Sequence, residues 1–200
     1  LSAQKQLWIL VGGNGAGKST FFTLYLEHLG LPFVNADILA RMAYPDAPEA
    51  HSYHAAKIAE QIRNDLLQSG ASFCYETVFS HPSKIDFVAQ ARALGYEVIM
   101  VMIHLQSVEL NQARVAERMS EGGHSVPDEK VSSRIPRMLR HVKTSIPLCN
   151  QVQVYDNSFA DAPFKRVFSV KNSLVECHPD PLPDWAEALL GDLNLLSFHS

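Results

Sequence analysis

Residues 12–20 read Gly-Gly-Asn-Gly-Ala-Gly-Lys-Ser-Thr and follow directly on the apolar run Leu7-Trp8-Ile9-Leu10-Val11. Gly12, Gly17, Lys18 and Ser19 satisfy the spacing G-x-x-x-x-G-K-[ST] of a phosphate-binding loop. Glycines let backbone N–H groups turn and close around a phosphate chain. Asn14, Gly15 and Ala16 form the crest, and Gly13 and Thr20 complete the stretch expected to hold ATP. Lys18 brings a point charge to the β- and γ-phosphates, and the Ser19 hydroxyl is placed for Mg²⁺. A glycine-rich turn that merely carries a lysine is the competing account. It loses weight because a buried-strand pattern precedes the loop and a helical pattern follows it.

The remainder alternates between strand and helix signals. After the helix expected over 18–29, apolar nearly all round and stopped by Gly30, strands are expected at 32–35, 72–75, 98–103, 152–156 and 164–170. Between them, helical spacing runs from Glu49 through Ala55, Ile58, Ala59, Ile62 and Leu66, from Pro82 to Leu94, from Val108 to Ser120 and from Asp128 to about Cys149. Val108, Val115 and Met119 are assigned to the core side, and Pro136 and Pro147 are expected to interrupt the last of these helices. A short helix around residues 185–190 closes the chain. Such alternation implies an α/β fold, a mostly parallel sheet with helices on both faces, in one domain over residues 1–200. Ligands on such sheets bind beyond the carboxyl ends of the strands, so Lys18, Asp37 and Glu76 converge on one cleft.

A chain of 200 residues with 46% hydrophobic content can fill such a core. Its net charge of −4, with signs mixed, offers no attraction to nucleic acid or anionic lipid. Three scattered cysteines, Cys74, Cys149 and Cys177, mark neither a disulfide framework nor a zinc site and suit a reducing cytoplasm. No apolar run nears the length of about eighteen residues that a membrane span needs, and no signal-peptide pattern is seen.

The ordered set of the phosphate loop, Asn35-Ala36-Asp37, Glu76-Thr77-Val78-Phe79-Ser80, Gly95-Tyr96, Arg114-Val115 with Arg118, Glu121-Gly122-Gly123-His124 and Asp156-Asn157 resembles the zeta toxin family of P-loop kinases, in its shorter, stand-alone branch. The resemblance covers about residues 7–160. It implies a P-loop kinase core with an arginine-bearing lid, ATP as donor, and as acceptor the 3′-hydroxyl of the amino sugar of UDP-N-acetylglucosamine. It further implies that Lys18 binds phosphate, that Asp37 is the general base, and that Asn35, Glu76 and Thr77 meet the acceptor. Arg114, Arg118 and Arg134 are the candidates to clamp the γ-phosphate, Ser133-Arg134-Ile135-Pro136 standing where members often have consecutive arginines. A small antitoxin joins the candidate partners through the resemblance alone.

Several residues keep a second reading. Asp37 could instead cap the helix that follows it. Glu76 could organise Mg²⁺ through water, because strand 98–103 ends in His104 and supplies no carboxylate. Arg114 and Arg118 could be a solvated helix face, whereas arginines flanking a Gly-Gly break suit a closing lid. His124 reads as lid structure or surface, Cys74 as core, and Tyr75, Phe79 and Tyr96 as packing, with one available to stack on a base. Other functions are a shikimate- or gluconate-type small-metabolite kinase and a regulatory P-loop ATPase. A transporter ATPase and a GTPase lack their motifs here.

Overall fold

The computed structural model describes residues 4–120, 126–178, 181–191, 193 and, as backbone, 196–198. His124 and the Gly-Gly break lie outside the described residues. Eight strands form one sheet in the order β2-β3-β1-β4-β5-β6-β7-β8. β1 (Gln6–Gly12), β2 (Phe33–Val34), β3 (Phe73–Thr77), β4 (Glu97–His104) and β5 (Gln151–Asp156) are mutually parallel. β6 (Lys165–Lys171) and β7 (Leu174–Cys177) then run antiparallel, and β8 (Leu196–Phe198) pairs parallel with β7.

The central strands are apolar on both sides because both faces are covered. Leu7, Ile9, Val11, Val98, Met100, Met102, Val152 and Val154 face one side. That side is layered by α3 (Ser52–Ser69), α4 (Ser83–Ala93), α6 (Asp128–Ser145) and α7 (Asp184–Leu190), through Ala59, Leu67, Phe87, Met138, Val142 and Leu189. Leu10, Val101, Ile103 and Tyr155 face the other side and meet Phe21 and Leu26 of the helical stretch after the phosphate loop. The sheet is therefore thickly covered on one face and thinly on the other.

That stretch departs from expectation. α1 (Lys18–Phe21) widens into a π-turn at Phe22–Leu26 and tightens into a 3₁₀ turn at Glu27–Leu29 before Gly30 ends it. Leu24, Tyr25 and Leu29 are 60%, 47% and 39% exposed, so the stretch is not covered all round: it is itself the outer layer of the thin face. Met119 in α5 (Val108–Ser120) is likewise exposed, and the buried positions there are Asn111 and Val115. In α3 the buried row is Ala55, Ala59, Arg63 and Leu67, with Ile62 and Leu66 packed at its margin.

Pro136 does not break α6, since it lies on the exposed side where solvent can replace the missing bond, whereas Pro147 does fall in a separate 3₁₀ turn, Ile146–Leu148. Residues 164–170 are not the last strand. Asn172 and Ser173, with φ of 51° and 64°, make the left-handed two-residue turn that starts β7.

Tyr96 ties the register of β4 to the end of α3. Its buried hydroxyl lies 2.9 Å from the Ala71 carbonyl, 3.1 Å from that of Leu67 and 3.3 Å from that of Leu66. Tyr96→Phe removes this buried hydroxyl and with it the donor to the Ala71 carbonyl, while the Leu66 and Leu67 carbonyls keep the N–H groups of Ala71 and Gly70. It is expected to lower unfolding free energy by about 1–2 kcal/mol in urea titrations, with an unchanged slope.

Candidate active site

The phosphate loop leaves the carboxyl end of β1 and is folded by its own backbone. Ala16 N–H donates to the Gly13 carbonyl at 3.2 Å, and Phe21 N–H to that of Gly17 at 2.9 Å. Gly15 and Gly17 sit at φ of 78° and 94°. A β-carbon at Gly15 would come 2.6 Å from the Asn111 carbonyl oxygen, and one at Gly17 2.5 Å from Asn157 Nδ2, so neither position admits a side chain.

Those two contacts identify residues to which the sequence reading gave no role. Asn111, on α5, is 1% exposed and its Nδ2 donates to the Asn14 carbonyl at 2.7 Å. Asn157, just beyond β5, donates from Nδ2 to the Ala16 carbonyl at 3.0 Å and accepts at Oδ1 from Phe164 N–H at 3.2 Å. The loop crest is thus held from both sides by buried amides. A trace was present in the sequence: Asn111 opens the row that continues with Arg114 and Arg118, and Asn157 belongs to the Asp156-Asn157 pair.

Lys18 is 7% exposed, and its Nζ donates to the Gly13 carbonyl at 3.0 Å and lies 3.5 Å from Glu76 Oε1. Glu76 Oε2 accepts from Ser19 Oγ at 3.0 Å and from Asn35 Nδ2 at 2.8 Å. One carboxylate therefore joins the phosphate lysine, the loop hydroxyl and the segment after β2.

Asn35 is also the cap of α2 (Ala36–Ala43). Its Oδ1 accepts from the N–H groups of Asp37 and Ile38 at 2.8 and 3.2 Å. The capping role considered for Asp37 belongs to Asn35, which leaves the Asp37 carboxylate in the first turn, favourably placed for the helix dipole. Thr77 Oγ1 accepts from Phe79 N–H at 3.0 Å and shapes the turn after β3. Phe79 is buried there at φ of 61°, with its carbonyl accepting from His141 Nδ1 at 3.1 Å.

A cavity of about 450 Å³ opens over these residues. Gly15, Gly17, Lys18, Ser19, Thr20, Glu76, Arg114 and Arg118 line it, which brings together the donor-side expectations. Arg134 is outside it and reaches the crest instead, its Nη1 3.5 Å from Asn14 Oδ1. Asp37 and Thr77 also lie outside it, and Asp37 is connected to it through Asn35 and Glu76. Phe159, Pro163 and Phe164 form the opposite wall. The aromatic surface available to a base comes from this wall, because Tyr75, Phe79 and Tyr96 are all buried in packing.

The cysteines take no part in this site. Burial pushes the Cys74 thiol strongly upward and Cys149 up to about 12, and Cys177 is exposed on β7. Among the described residues no group of three or more His, Cys, Asp or Glu could hold a metal, and no helix is long and apolar enough to cross a membrane.

A β1–loop–helix unit that cradles phosphate, in a parallel sheet of order 2-3-1-4-5, defines a P-loop kinase fold. The zeta toxin family model matches residues 2–162, and the chain belongs to the zeta toxin family. It is 26% identical over 138 residues to an uncharacterized Haemophilus influenzae protein, covering 66% of this chain and 98% of that one. Among solved structures, AvrRxo1-ORF1:-ORF2 with ATP superposes with a TM-score of 0.66 at 19% identity, over 85% of this chain and 59% of that one. The PezAT toxin–antitoxin system of Streptococcus pneumoniae gives a TM-score of 0.63 at 18% identity, over 84% and 72%. A putative kinase from Chloroflexus aurantiacus gives 0.57 at 19%, over 80% and 91%. At these identities the likeness concerns the fold.

His104 ends β4 where many P-loop proteins place an acid, but it faces the core and meets Trp185 of α7 edge-on at 4.6 Å. Burial pushes its pKa from 6.5 down to about 4, with Asp156 opposing the shift. The folded state keeps this ring neutral, so the unfolded chain binds the extra proton below pH 6.5 and stability is lost as pH falls from there toward 4. The component due to His104 between pH 7.5 and 5 is expected to be about 2 kcal/mol. It is measured as the difference in urea stability between the wild type and His104→Gln at the two pH values.

Removing the amide of Asn157 frees both the Ala16 carbonyl and the Phe164 N–H. Asn157→Ala is expected to weaken ATP binding about tenfold or more in calorimetric titration.

Proposed function

We propose that this protein is an ATP-dependent kinase that transfers the γ-phosphate to a hydroxyl of a small molecule, the 3′-hydroxyl of the amino sugar of a UDP-sugar such as UDP-N-acetylglucosamine being the acceptor that family membership favours. The observation that carries the reading is the Glu76 carboxylate, bonded to Ser19 beside Lys18 on the donor side and to Asn35, the cap of the Asp37 helix, on the acceptor side. An arrangement that couples the two sides through one carboxylate suits transfer between bound molecules better than hydrolysis.

In this reading the Asp37 carboxylate takes the proton of the acceptor hydroxyl. The acceptor oxygen forms its bond to the γ-phosphorus while the bond from that phosphorus to the β–γ bridging oxygen breaks, and ADP leaves with the electron pair. Lys18 and the loop N–H groups neutralise the β- and γ-phosphate oxygens, and Arg114 and Arg118 approach from α5 across the cavity. Arg134 supports the crest through Asn14. Asn35, Glu76 and Thr77 shape the acceptor side. The Ser19 hydroxyl facing a carboxylate fits Mg²⁺, with Ser19 as direct ligand and Glu76 holding water around it. Bound there, Mg²⁺ would offset charge on the β- and γ-phosphates. The toxin–antitoxin assembly of the PezAT relative supports a small protein antitoxin as a partner.

The test is mass spectrometry of the protein with Mg²⁺, ATP and a panel of UDP-sugars, nucleosides, shikimate, gluconate and simple sugars. One acceptor is expected to gain a phosphate. Lys18→Ala should lose ATP use altogether. Asp37→Asn should keep the ATP affinity within about threefold while transfer falls by about 10²–10⁴. Retained transfer in Asp37→Asn removes the base assignment, and ATP consumption with no acceptor modified replaces the kinase reading with a hydrolase.

A further inference from the structure

Beside the helical stretch 18–29, on the thinly covered face of the sheet, lies a second cavity of about 420 Å³. Its floor is buried: Phe21, Leu26 and Val101 are 4%, 6% and 1% exposed. Its sides are aromatic. Tyr155 lies 5.1 Å from Phe21 between ring centres, Phe164 stands edge-on to Phe21 at 5.3 Å and to Tyr25 at 5.9 Å, and Trp8 completes the slot.

The charged group at its rim is a cation, Arg166. Tyr155 Oη donates to Gln153 Oε1 at 2.8 Å and accepts from Arg166 Nη2 at 3.4 Å. A guanidinium has only donors to present. Among the described residues no acidic side chain lines the cavity. A slot of aromatic walls with a guanidinium at its rim complements a flat ring that carries an anionic group.

We infer that this cavity is a second ligand site, selective for a planar aromatic or heteroaromatic carboxylate and coupled to the phosphate-binding cavity through Phe164. Phe164 lines both cavities. Its φ of 54° is a left-handed conformation that a non-glycine residue holds only when its surroundings enforce it. Its N–H is bonded to the same Asn157 that grips the Ala16 carbonyl of the phosphate loop. A ring seated against Phe164 holds that conformation, and with it the grip on the loop. The ligand therefore tightens ATP binding, and by reciprocity ATP tightens the ligand.

Naphthalene-2-carboxylate is the probe, titrated into the full chain by calorimetry and by quenching of Trp8 fluorescence, with Trp185→Phe removing the other tryptophan. One site is expected, weakened about tenfold or more by Arg166→Gln and by replacing the probe with uncharged 2-naphthol. Saturating probe should raise ATP affinity at least about threefold, an effect lost in Phe164→Ala. Thermal melts establish that the variants fold. The inference is overturned by absence of binding, by competition between probe and ATP for one site, by binding indifferent to Arg166→Gln, by ATP affinity unchanged at saturating probe, or by a concentration-dependent dimer that excludes the probe. Because binding is read directly, none of these outcomes depends on phosphate transfer.

Discussion

The two buried amides that pinch the phosphate loop are the constraint on which the site depends. A loop rich in glycine has no side chains with which to hold its own shape, and its conformational freedom opposes any single arrangement of its N–H groups. Asn111 and Asn157 add restraint by taking the carbonyls of Asn14 and Ala16. Each amide comes from an element fixed elsewhere, Asn111 from a helix and Asn157 from the end of β5, where its own N–H bonds the His104 carbonyl. The order of the central strands is thus transmitted to the loop by a few hydrogen bonds.

Glu76 solves a second problem, created by β4. That strand is the most apolar in the chain and ends in a histidine turned to the core, so the acid that would face the loop hydroxyl has to come from another strand. It comes from β3, which is next to β1 on its other side, with Leu10 and Glu76 in register. From there the carboxylate reaches the loop residues Lys18 and Ser19 and also Asn35 beyond β2. Moving the acid from β4 to β3, across β1, puts it between Ser19 and Asn35.

Much of the fold was legible because periodicity and punctuation were strong. The loop motif, the glycine stops and the apolar run at 98–103 each reported a local requirement that tertiary packing then confirmed. Several of the expectations that failed concern which side of an element meets a neighbour. Leu24 and Met119 are apolar and helical, yet 60% and 45% exposed. Residue type and topology sufficed to expect that Lys18, Ser19 and Glu76 meet, as they do. The site was not legible where the chemistry lies in holding backbone, because an asparagine on a helix face gives no sign of the carbonyl it will meet. Asn35 shows the same limit: its neighbour Asp37 was the obvious cap, and only the geometry of the turn assigned the cap one step earlier in the chain.

The unequal covering of the two sheet faces also bears on local opening. β1 and β4 have paired strands on either side and helices stacked on one face, so their amides are released only when the whole domain unfolds. The stretch 18–29 rests on a smaller apolar cluster and changes helical pitch twice along its length. Lys18 and Ser19 at the start of this stretch also belong to the phosphate loop, so a phosphate held there would add its binding free energy to the docking of the stretch on the sheet.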